Sequence, residues 1–159
     1  MREVYLCPFL AQATLHPGRH LLSSGDEMEA REMARRRDSG LKDINITARD
    51  GVTLRAWSIR ASHSNGNAVI LLHGLSDNRS GMTGYAELLL SRGFSVLMPD
   101  ARAHGSSGGN LATFGLLESE DIHRWLDWLD QNDDPKCIFG LGESMGAALL
   151  LQSLQSLQS

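Results

Sequence analysis

Residues 137–150 read CIFGLGESMGAALL, a short apolar run, then a serine flanked by glycines, then a run of alanine and leucine. The apolar run predicts a strand, and the Ala-Leu run predicts a helix that begins at Ser144. A serine at a tight strand-to-helix turn is typical of a nucleophile, because the helix N-terminus directs free N–H groups at the reacting oxygen. Ser144 is therefore the candidate nucleophile, and Gly142 and Gly146 are expected to permit close backbone approach around it.

A second Gly-x-Ser-x-Gly match, GSSGG, occurs at residues 105–109. The residues that follow it, NLATFG, predict a loop rather than a helix. Because a pattern with three fixed positions is weak evidence alone, the flanking strand and helix favour residues 142–146, which we call the elbow.

Apolar runs and helical patterns alternate along the chain and predict the fold class. Three continuous apolar runs are typical of strands buried on both faces, as in a parallel sheet covered by helices. Residues 43–61 alternate in polarity around Asp50-Gly51, which predicts an antiparallel hairpin. We therefore predict an α/β protein whose mostly parallel sheet is entered by an antiparallel hairpin and is truncated after the elbow. The apolar runs are residues 68–74, 94–100 and 137–142, and the helical patterns lie at about 24–37, 82–92 and 117–130.

A second part of the predicted site lies in LLHGLSDN, residues 71–78. His73 and Gly74 fall at the carboxyl end of a parallel strand, where α/β sheets bind their ligands. A loop there can donate the N–H of Leu75 while the elbow donates that of Met145. Two such donors form the oxyanion hole that acyl transfer requires.

Two further motifs are DGVTLRAW at residues 50–57 and PDARAHGSSGG at residues 99–109. Together with the elbow and the His-Gly loop, they resemble the α/β-hydrolase superfamily. Within it, they resemble the esterase, lipase and serine-peptidase-like branch that has a His-Gly oxyanion loop. The resemblance covers about residues 43–152. It implies hydrolysis of a small-molecule ester, thioester or amide through an acyl-serine intermediate. It also implies no cofactor and a structural role for His73.

The resemblance also identifies what is missing after Ser144. The superfamily orders its triad as Ser, then Asp or Glu, then His, and residues 145–159 contain no Asp, Glu or His. Without a base and an orienting acid, a serine hydroxyl is a poor nucleophile at neutral pH. We therefore expect this chain alone to be inactive or weakly active.

The upstream titratable residues are not expected to replace the missing triad members. His104 lies in a glycine-rich loop and is expected to be a solvated loop residue. Asp77 and Asp100 are expected to organise loops, by capping N–H groups or by binding Arg79 or Arg102.

The region boundaries follow from these patterns. Residues 1–40 are expected to form an N-terminal arm and an exposed helix, and residues 41–159 the N-terminal portion of a hydrolase domain. Residues 151–159 repeat LQS, and a three-residue period drifts around a helix of 3.6 residues per turn. We interpret the repeat as a duplication or frameshift that interrupts a longer hydrolase, or else as a low-complexity tail.

The sequence also allows a function that is binding rather than catalysis. The strand before the elbow is central in the superfamily sheet, so residues 137–142 would here form an exposed apolar edge that invites pairing. The alternative is therefore a non-catalytic binding or assembly module that uses this edge, including self-association. A third hypothesis is that a separate polypeptide supplies the missing Asp and His in trans.

The net charge, the apolar N-terminal run and the cysteines limit the partners and the cellular location that the sequence predicts. A net charge of −4 gives no basic surface for nucleic acid. The apolar run at residues 4–15 is too short to cross a membrane and lacks the pattern of a signal peptide. Cys137 is expected to be a buried, reduced thiol, which favours a cytoplasmic location. The scattered histidines and the two distant cysteines predict no metal site.

Overall fold

The structure is a computed structural model and describes residues 15–156. Cys7 and the final three residues of the LQS repeat lie outside the described residues. The strands are β1 (Leu41–Thr47), β2 (Thr53–Ile59), β3 (Ala68–Leu72), β4 (Ser95–Pro99) and β5 (Ile138–Gly142). The helices are α1 (Ser24–Arg36), α2 (Thr83–Leu90), α3 (Glu118–Asp133) and α4 (Met145–Ser156), and a 3-10 turn spans Arg79–Met82.

The strands form a mixed sheet in the order β1-β2-β4-β3-β5. β1 and β2 pair antiparallel, with Thr47 opposite Thr53 and Gly51 in the turn at a φ of 86°. β2 pairs antiparallel with β4, whereas β3 pairs parallel with both β4 and β5. The predicted α/β fold, entered through an antiparallel hairpin, is therefore confirmed.

Strand β5 lies at the exposed edge that the family resemblance predicts for residues 137–142, so only two of the three apolar runs are buried on both faces. The side chains of β3 and β4 are fully buried, but β5 lies at the edge of the sheet and Phe139 is 50% exposed. Cys137, just before β5, is exposed as a free thiol, so its predicted burial is wrong. The physical reason is position: an apolar run predicts burial only where neighbouring elements cover both faces.

Two apolar clusters pack on opposite faces of the sheet because successive strand residues point to opposite sides. Trp57, Val69 and Leu71 pack toward α1 and α2 on one face. Ile70 and Leu72 pack with residues of α3 and α4 on the other. Apolar packing on both faces of β3 thus holds this strand, and with it the loop that follows it, in place beside the elbow.

Helix α1 begins with a capping box. The Ser23 hydroxyl accepts the N–H of Asp26 at 3.1 Å, and the Asp26 carboxylate accepts the N–H of Ser23 at 2.8 Å. The helix occupies nearly the range that its acid-first, base-last pattern predicts. Ala30, Met33 and Ala34 bury one face of it in the core, so only its other face is exposed.

Candidate active site

Ser144 lies in the turn between β5 and α4 and has a left-handed backbone with a φ of 46°. A non-glycine residue in that region costs on the order of 1–3 kcal/mol unless its surroundings enforce it. The Glu143 N–H donates to the Leu72 carbonyl at 3.0 Å, and the Gly146 N–H donates to the Glu143 carbonyl at 2.8 Å. These bonds hold the turn, which leaves Ser144 exposed at the carboxyl edge of the sheet.

The two elbow glycines lie where no side chain fits. A Cβ atom on Gly142 would lie 2.4 Å from the carbonyl carbon of Gly146. One on Gly146 would lie 2.3 Å from the carbonyl oxygen of Leu72. Both separations are far below van der Waals contact, so glycine at these positions lets α4 begin directly against the ends of β5 and β3.

The loop after β3 passes beside the serine. A Cβ atom built on Gly74 would lie 3.8 Å from the Cβ of Ser144. Among residues 15–156, no hydrogen bond engages the N–H of Leu75 or of Met145. Met145 is the first residue of α4, where N–H groups lack an intrahelical acceptor. The oxyanion role of these two donors stays a prediction.

His73 is buried, and both of its ring nitrogens are engaged. Its Nε2 accepts the N–H of Ala101 at 3.1 Å, so its Nδ1 carries the proton and donates to the Gly74 carbonyl at 2.7 Å. The ring therefore joins the loop after β3 to the loop after β4. Burial lowers the pKa of His73, which favours the neutral form that these two bonds require.

We expect the lowered pKa of His73 to make folding pH-dependent. The unfolded chain takes up a proton below about pH 6.5 while the folded ring resists it, so stability is full above that pH and falls below it. The free energy of unfolding should therefore decrease as the pH is lowered from about 7.5 to 5.5. Urea denaturation across that range measures it.

The matched pair for this test is His73→Gln and His63→Gln. His63 is exposed and lies outside the loops that His73 joins, so His63→Gln controls for the loss of a histidine as such. His73→Gln should reduce the dependence of the unfolding free energy on pH. Equal pH dependence in wild type and His73→Gln would contradict the assignment.

Asp100 organises the loop after β4. Its carboxylate accepts the backbone N–H of Arg79 at 2.7 Å, the Nη1 of Arg79 at 2.8 Å and the N–H of Ser106 at 2.7 Å. Both partners of the ion pair are buried, and the Arg79 guanidinium lies 4.8 Å above the Trp57 ring. Burial lowers the pKa of Arg79. The predicted loop-organising role of Asp100 agrees with these contacts.

Arg102 ties the same loop to two other parts of the fold. Its Nε and Nη2 donate to Asp121 of α3 at 2.7 and 2.8 Å, and its Nη1 donates to Asp50 in the β1–β2 turn at 2.8 Å. Burial raises the pKa of Asp121, although Arg102 opposes this. These bonds hold the loop after β4 against α3 and the β1–β2 turn.

His104 is not the solvated loop residue that the sequence predicts. Its side chain is fully buried, and its ring centroid lies 5.3 Å from that of His73. Its Nδ1 hydrogen-bonds to the Arg102 carbonyl at 2.9 Å, and its Nε2 has no partner among residues 15–156. The left-handed backbone of Ala103 and Gly105 folds the loop inward and buries the ring.

A hydrogen bond that the sequence did not indicate joins α2 to the elbow. The Tyr85 hydroxyl donates to Glu143 Oε1 at 2.7 Å, and Glu143 directly precedes Ser144. The bond raises the pKa of Tyr85. These residues are 58 positions apart, and no spacing rule pairs a helix surface tyrosine with a turn glutamate.

The comparisons with known proteins agree with this geometry. The sequence profile of the alpha/beta hydrolase family matches residues 69–157, more than half of the chain. The chain belongs to the α/β hydrolase family. The esterase Pf2001 of Pyrococcus furiosus is similar in structure, with a TM-score of 0.76 and 32% identity over 91% of this chain and 54% of that one.

Two further similar proteins match this chain over different shares of their length. YqkD, an uncharacterised protein of Bacillus subtilis, is 35% identical over 102 residues, which are 64% of this chain and 33% of that protein. The serine hydrolase XC6422 of Xanthomonas campestris has a TM-score of 0.64 at 20% identity, covering 74% of this chain and 57% of that one, and supports the fold alone. The chain thus spans about a third of one relative and about half of the esterase.

In the part of the chain that the structure describes, no hydrogen bond joins the Ser144 hydroxyl to a histidine or a carboxylate. The two nitrogens of His73 are occupied, and His104 is enclosed. Among residues 15–156, no group of three or more His, Cys, Asp or Glu side chains is arranged to hold a metal ion. What the geometry brings together is the serine, the elbow glycines and the loop that contains His73, Gly74 and Leu75.

Proposed function

We propose that this chain carries the nucleophile and the oxyanion donors of a serine hydrolase. The Ser144 oxygen would attack the carbonyl carbon of an ester, thioester or amide and transfer its proton to a base. The tetrahedral intermediate would then expel the leaving group and form an acyl-serine, which water hydrolyses. The observation that carries the proposal is the strained, exposed backbone of Ser144 at the start of α4.

The oxyanion hole is assigned to the backbone N–H groups of Leu75 and Met145. Support comes from the closeness of Gly74 to Ser144 and from the lack of other acceptors for these two N–H groups in the described residues. Donors fixed before the reaction stabilise the developing negative charge without having to reorganise. Gly142, Gly146 and His73 would hold this arrangement without contacting substrate.

The base and the acid are expected from polypeptide outside this sequence. The support is that residues 145–159 contain no acid and no histidine, and that both ring nitrogens of His73 are engaged. The esterase and YqkD are longer than the part this chain matches. The activity of the whole protein is thus part of the proposal.

A boronic acid tests the role of Ser144 without requiring turnover. Boron becomes tetrahedral when a serine oxygen binds it and the hydroxyl proton passes to the buffer, and the adduct resembles the tetrahedral intermediate. We expect phenylboronic acid to give a tetrahedral ¹¹B NMR signal with the wild-type chain and none with Ser144→Ala. Ser106→Ala is the control and should bind as wild type does, because Ser106 occupies only a variable position of the other Gly-x-Ser-x-Gly match, whose motif serine, Ser107, is buried. Equal signals from wild type and Ser144→Ala would contradict the proposal.

Ester turnover by the 159-residue chain alone should be absent or very low. Hydrolysis of p-nitrophenyl acetate should proceed at the same rate with wild type and with Ser144→Ala, because no base accepts the Ser144 proton. Faster hydrolysis by wild type, together with fluorophosphonate labelling of Ser144, would show that the chain supplies its own base.

Small esters are the proposed substrates. The support is the structural similarity to an esterase at 32% identity. The net charge of −4 supports a small molecule rather than nucleic acid as the partner. No helix within residues 15–156 combines the length and the apolar character needed to cross a membrane. The free thiol of Cys137 supports the proposed cytoplasmic location.

The second candidate is an assembly module that uses the sheet edge. The observation that favours it is the exposure of β5, whose Phe139 is half exposed at an unpaired edge. An edge strand with open backbone groups is a template for another strand. Binding at this edge does not require the chemistry of Ser144, so the two candidates can be tested separately.

A further inference from the structure

Glu143, the residue before Ser144, is held by three different elements of the fold. Its N–H donates to the carbonyl of Leu72 in β3 at 3.0 Å, and its carbonyl accepts the N–H of Gly146 in α4 at 2.8 Å. Its carboxylate accepts the hydroxyl of Tyr85 in α2 at 2.7 Å. The first two bonds use backbone groups that every residue except proline has, whereas the third depends on the identity of both side chains.

The bond to Tyr85 acts next to the strained backbone of Ser144. A left-handed φ of 46° at a serine persists only where the surrounding structure enforces it. One peptide unit joins Glu143 to Ser144, so a shift of the Glu143 backbone moves the Ser144 oxygen relative to the loop after β3. The carboxylate bond adds a third restraint, and a residue that is held at three points cannot turn without breaking one of them.

Tyr85 is carried by a firmly packed part of the fold. Met82, in the 3-10 turn before α2, and Ala86, in α2, are fully buried in the apolar cluster that also contains Leu71 of β3. A tyrosine has only two side-chain torsions, so it holds a hydroxyl in place at a low cost in entropy. The hydroxyl thus ties the elbow to a helix that packs against the same strand that leads into the loop with Gly74.

We propose that Tyr85 is a positioning residue for the reaction at Ser144, because its bond to Glu143 holds the elbow in the reactive geometry. It acts through Glu143 and does not touch the substrate. With the bond in place, the Ser144 oxygen and the Met145 N–H face the same reacting group. This inference rests on the proposed function, since it concerns the reactivity of Ser144.

A ¹¹B NMR titration of the full 159-residue chain with phenylboronic acid tests the role of Tyr85. Tyr85→Phe removes a single oxygen atom and should weaken binding about threefold or more, because a hydrogen bond to a charged acceptor is lost. Ser91→Ala is the matched control. It also removes a hydroxyl, directly after α2, but that hydroxyl donates to the Leu88 carbonyl of the same helix at 2.6 Å. Its affinity should equal that of wild type.

Two substitutions of Glu143 separate the hydrogen bond from the charge. Glu143→Gln and Glu143→Leu both remove the negative charge, but only glutamine keeps an oxygen that accepts the Tyr85 hydroxyl. We expect Glu143→Leu to bind phenylboronic acid more weakly than Glu143→Gln does. Adding Tyr85→Phe should weaken binding further in the Glu143→Gln background and leave it unchanged in the Glu143→Leu background.

The outcomes separate this inference from the hydrolase proposal. Urea denaturation shows that each variant is folded during the titration, so a change in affinity is not a loss of folded protein. Wild-type affinity in Tyr85→Phe, or an equal effect of Tyr85→Phe in both Glu143 backgrounds, would overturn the inference and leave the hydrolase proposal intact. If Tyr85→Phe does not fold, equal affinities of Glu143→Leu and Glu143→Gln would overturn it. No adduct with the wild-type chain would overturn the hydrolase proposal and, with it, this inference.

Discussion

Replacing Gly146 by alanine is expected to destabilise the fold by about 3 kcal/mol or more. The new Cβ atom would lie 2.3 Å from the oxygen and 2.7 Å from the carbon of the Leu72 carbonyl, and 2.8 Å from the carbonyl oxygen of His73. These are backbone atoms in and beside strand β3, which pairs on both of its sides, so they cannot rotate away as a side chain could. Helix α4 would have to move off the sheet. Urea denaturation followed by far-UV circular dichroism measures the loss.

Gly84→Ala is the matched control for this substitution. Gly84 is also a helical glycine, in α2, but no atom lies within 4 Å of a Cβ built on it. Alanine there should be neutral or should stabilise by up to about 1 kcal/mol through higher helix propensity. If Gly146→Ala were as stable as Gly84→Ala, α4 would not begin against the β3 backbone as described.

The second large effect is expected from Asp100→Asn, which should cost about 3–5 kcal/mol of unfolding free energy. The substitution keeps the shape of the side chain but leaves the buried Arg79 guanidinium without its counter-charge. It also turns an amide group toward the N–H donors of Arg79 and Ser106. Chemical denaturation at neutral pH measures the change.

The control for Asp100→Asn is Glu32→Gln. Glu32 pairs with Arg35 on the exposed surface of α1, where solvent screens the pair, so its loss should cost less than about 1 kcal/mol. The double variant Asp100→Asn with Arg79→Met should recover part of the loss, because the uncompensated charge is gone. Similar losses from the two single carboxylate variants would contradict the structural importance of the buried pair.

The local elements could be predicted from the sequence because their signals are local. The Asp50-Gly51 turn and the apolar runs of β3 and β4 each depend on a few adjacent residues. The elbow could be predicted for the same reason, since a strand, a serine between glycines and a helix follow one another directly. The matching α/β hydrolase profile supports that reading of the fold.

The burial of particular side chains could not be predicted in the same way. The apolar run of β5 does not itself indicate exposure; the open edge at residues 137–142 is expected only from the strand order that the family resemblance implies, and the burial predicted for Cys137 from the run alone is wrong. His104 is polar and lies in a glycine-rich loop, yet the left-handed turn at Ala103 folds it inside. The Tyr85–Glu143 bond joins distant positions. Each depends on tertiary arrangement, which no local pattern encodes.

Ser144 and the N–H groups of Leu75 and Met145 are expected to form one acyl-transfer site. The most direct measurement is a crystal structure of the chain soaked with phenylboronic acid. The account predicts boron bonded to the Ser144 oxygen, with one boronate oxygen within hydrogen-bond distance of both the Leu75 and the Met145 N–H. Boron bound at another residue, or bound to Ser144 with its oxygens pointing away from these two N–H groups, would contradict the account.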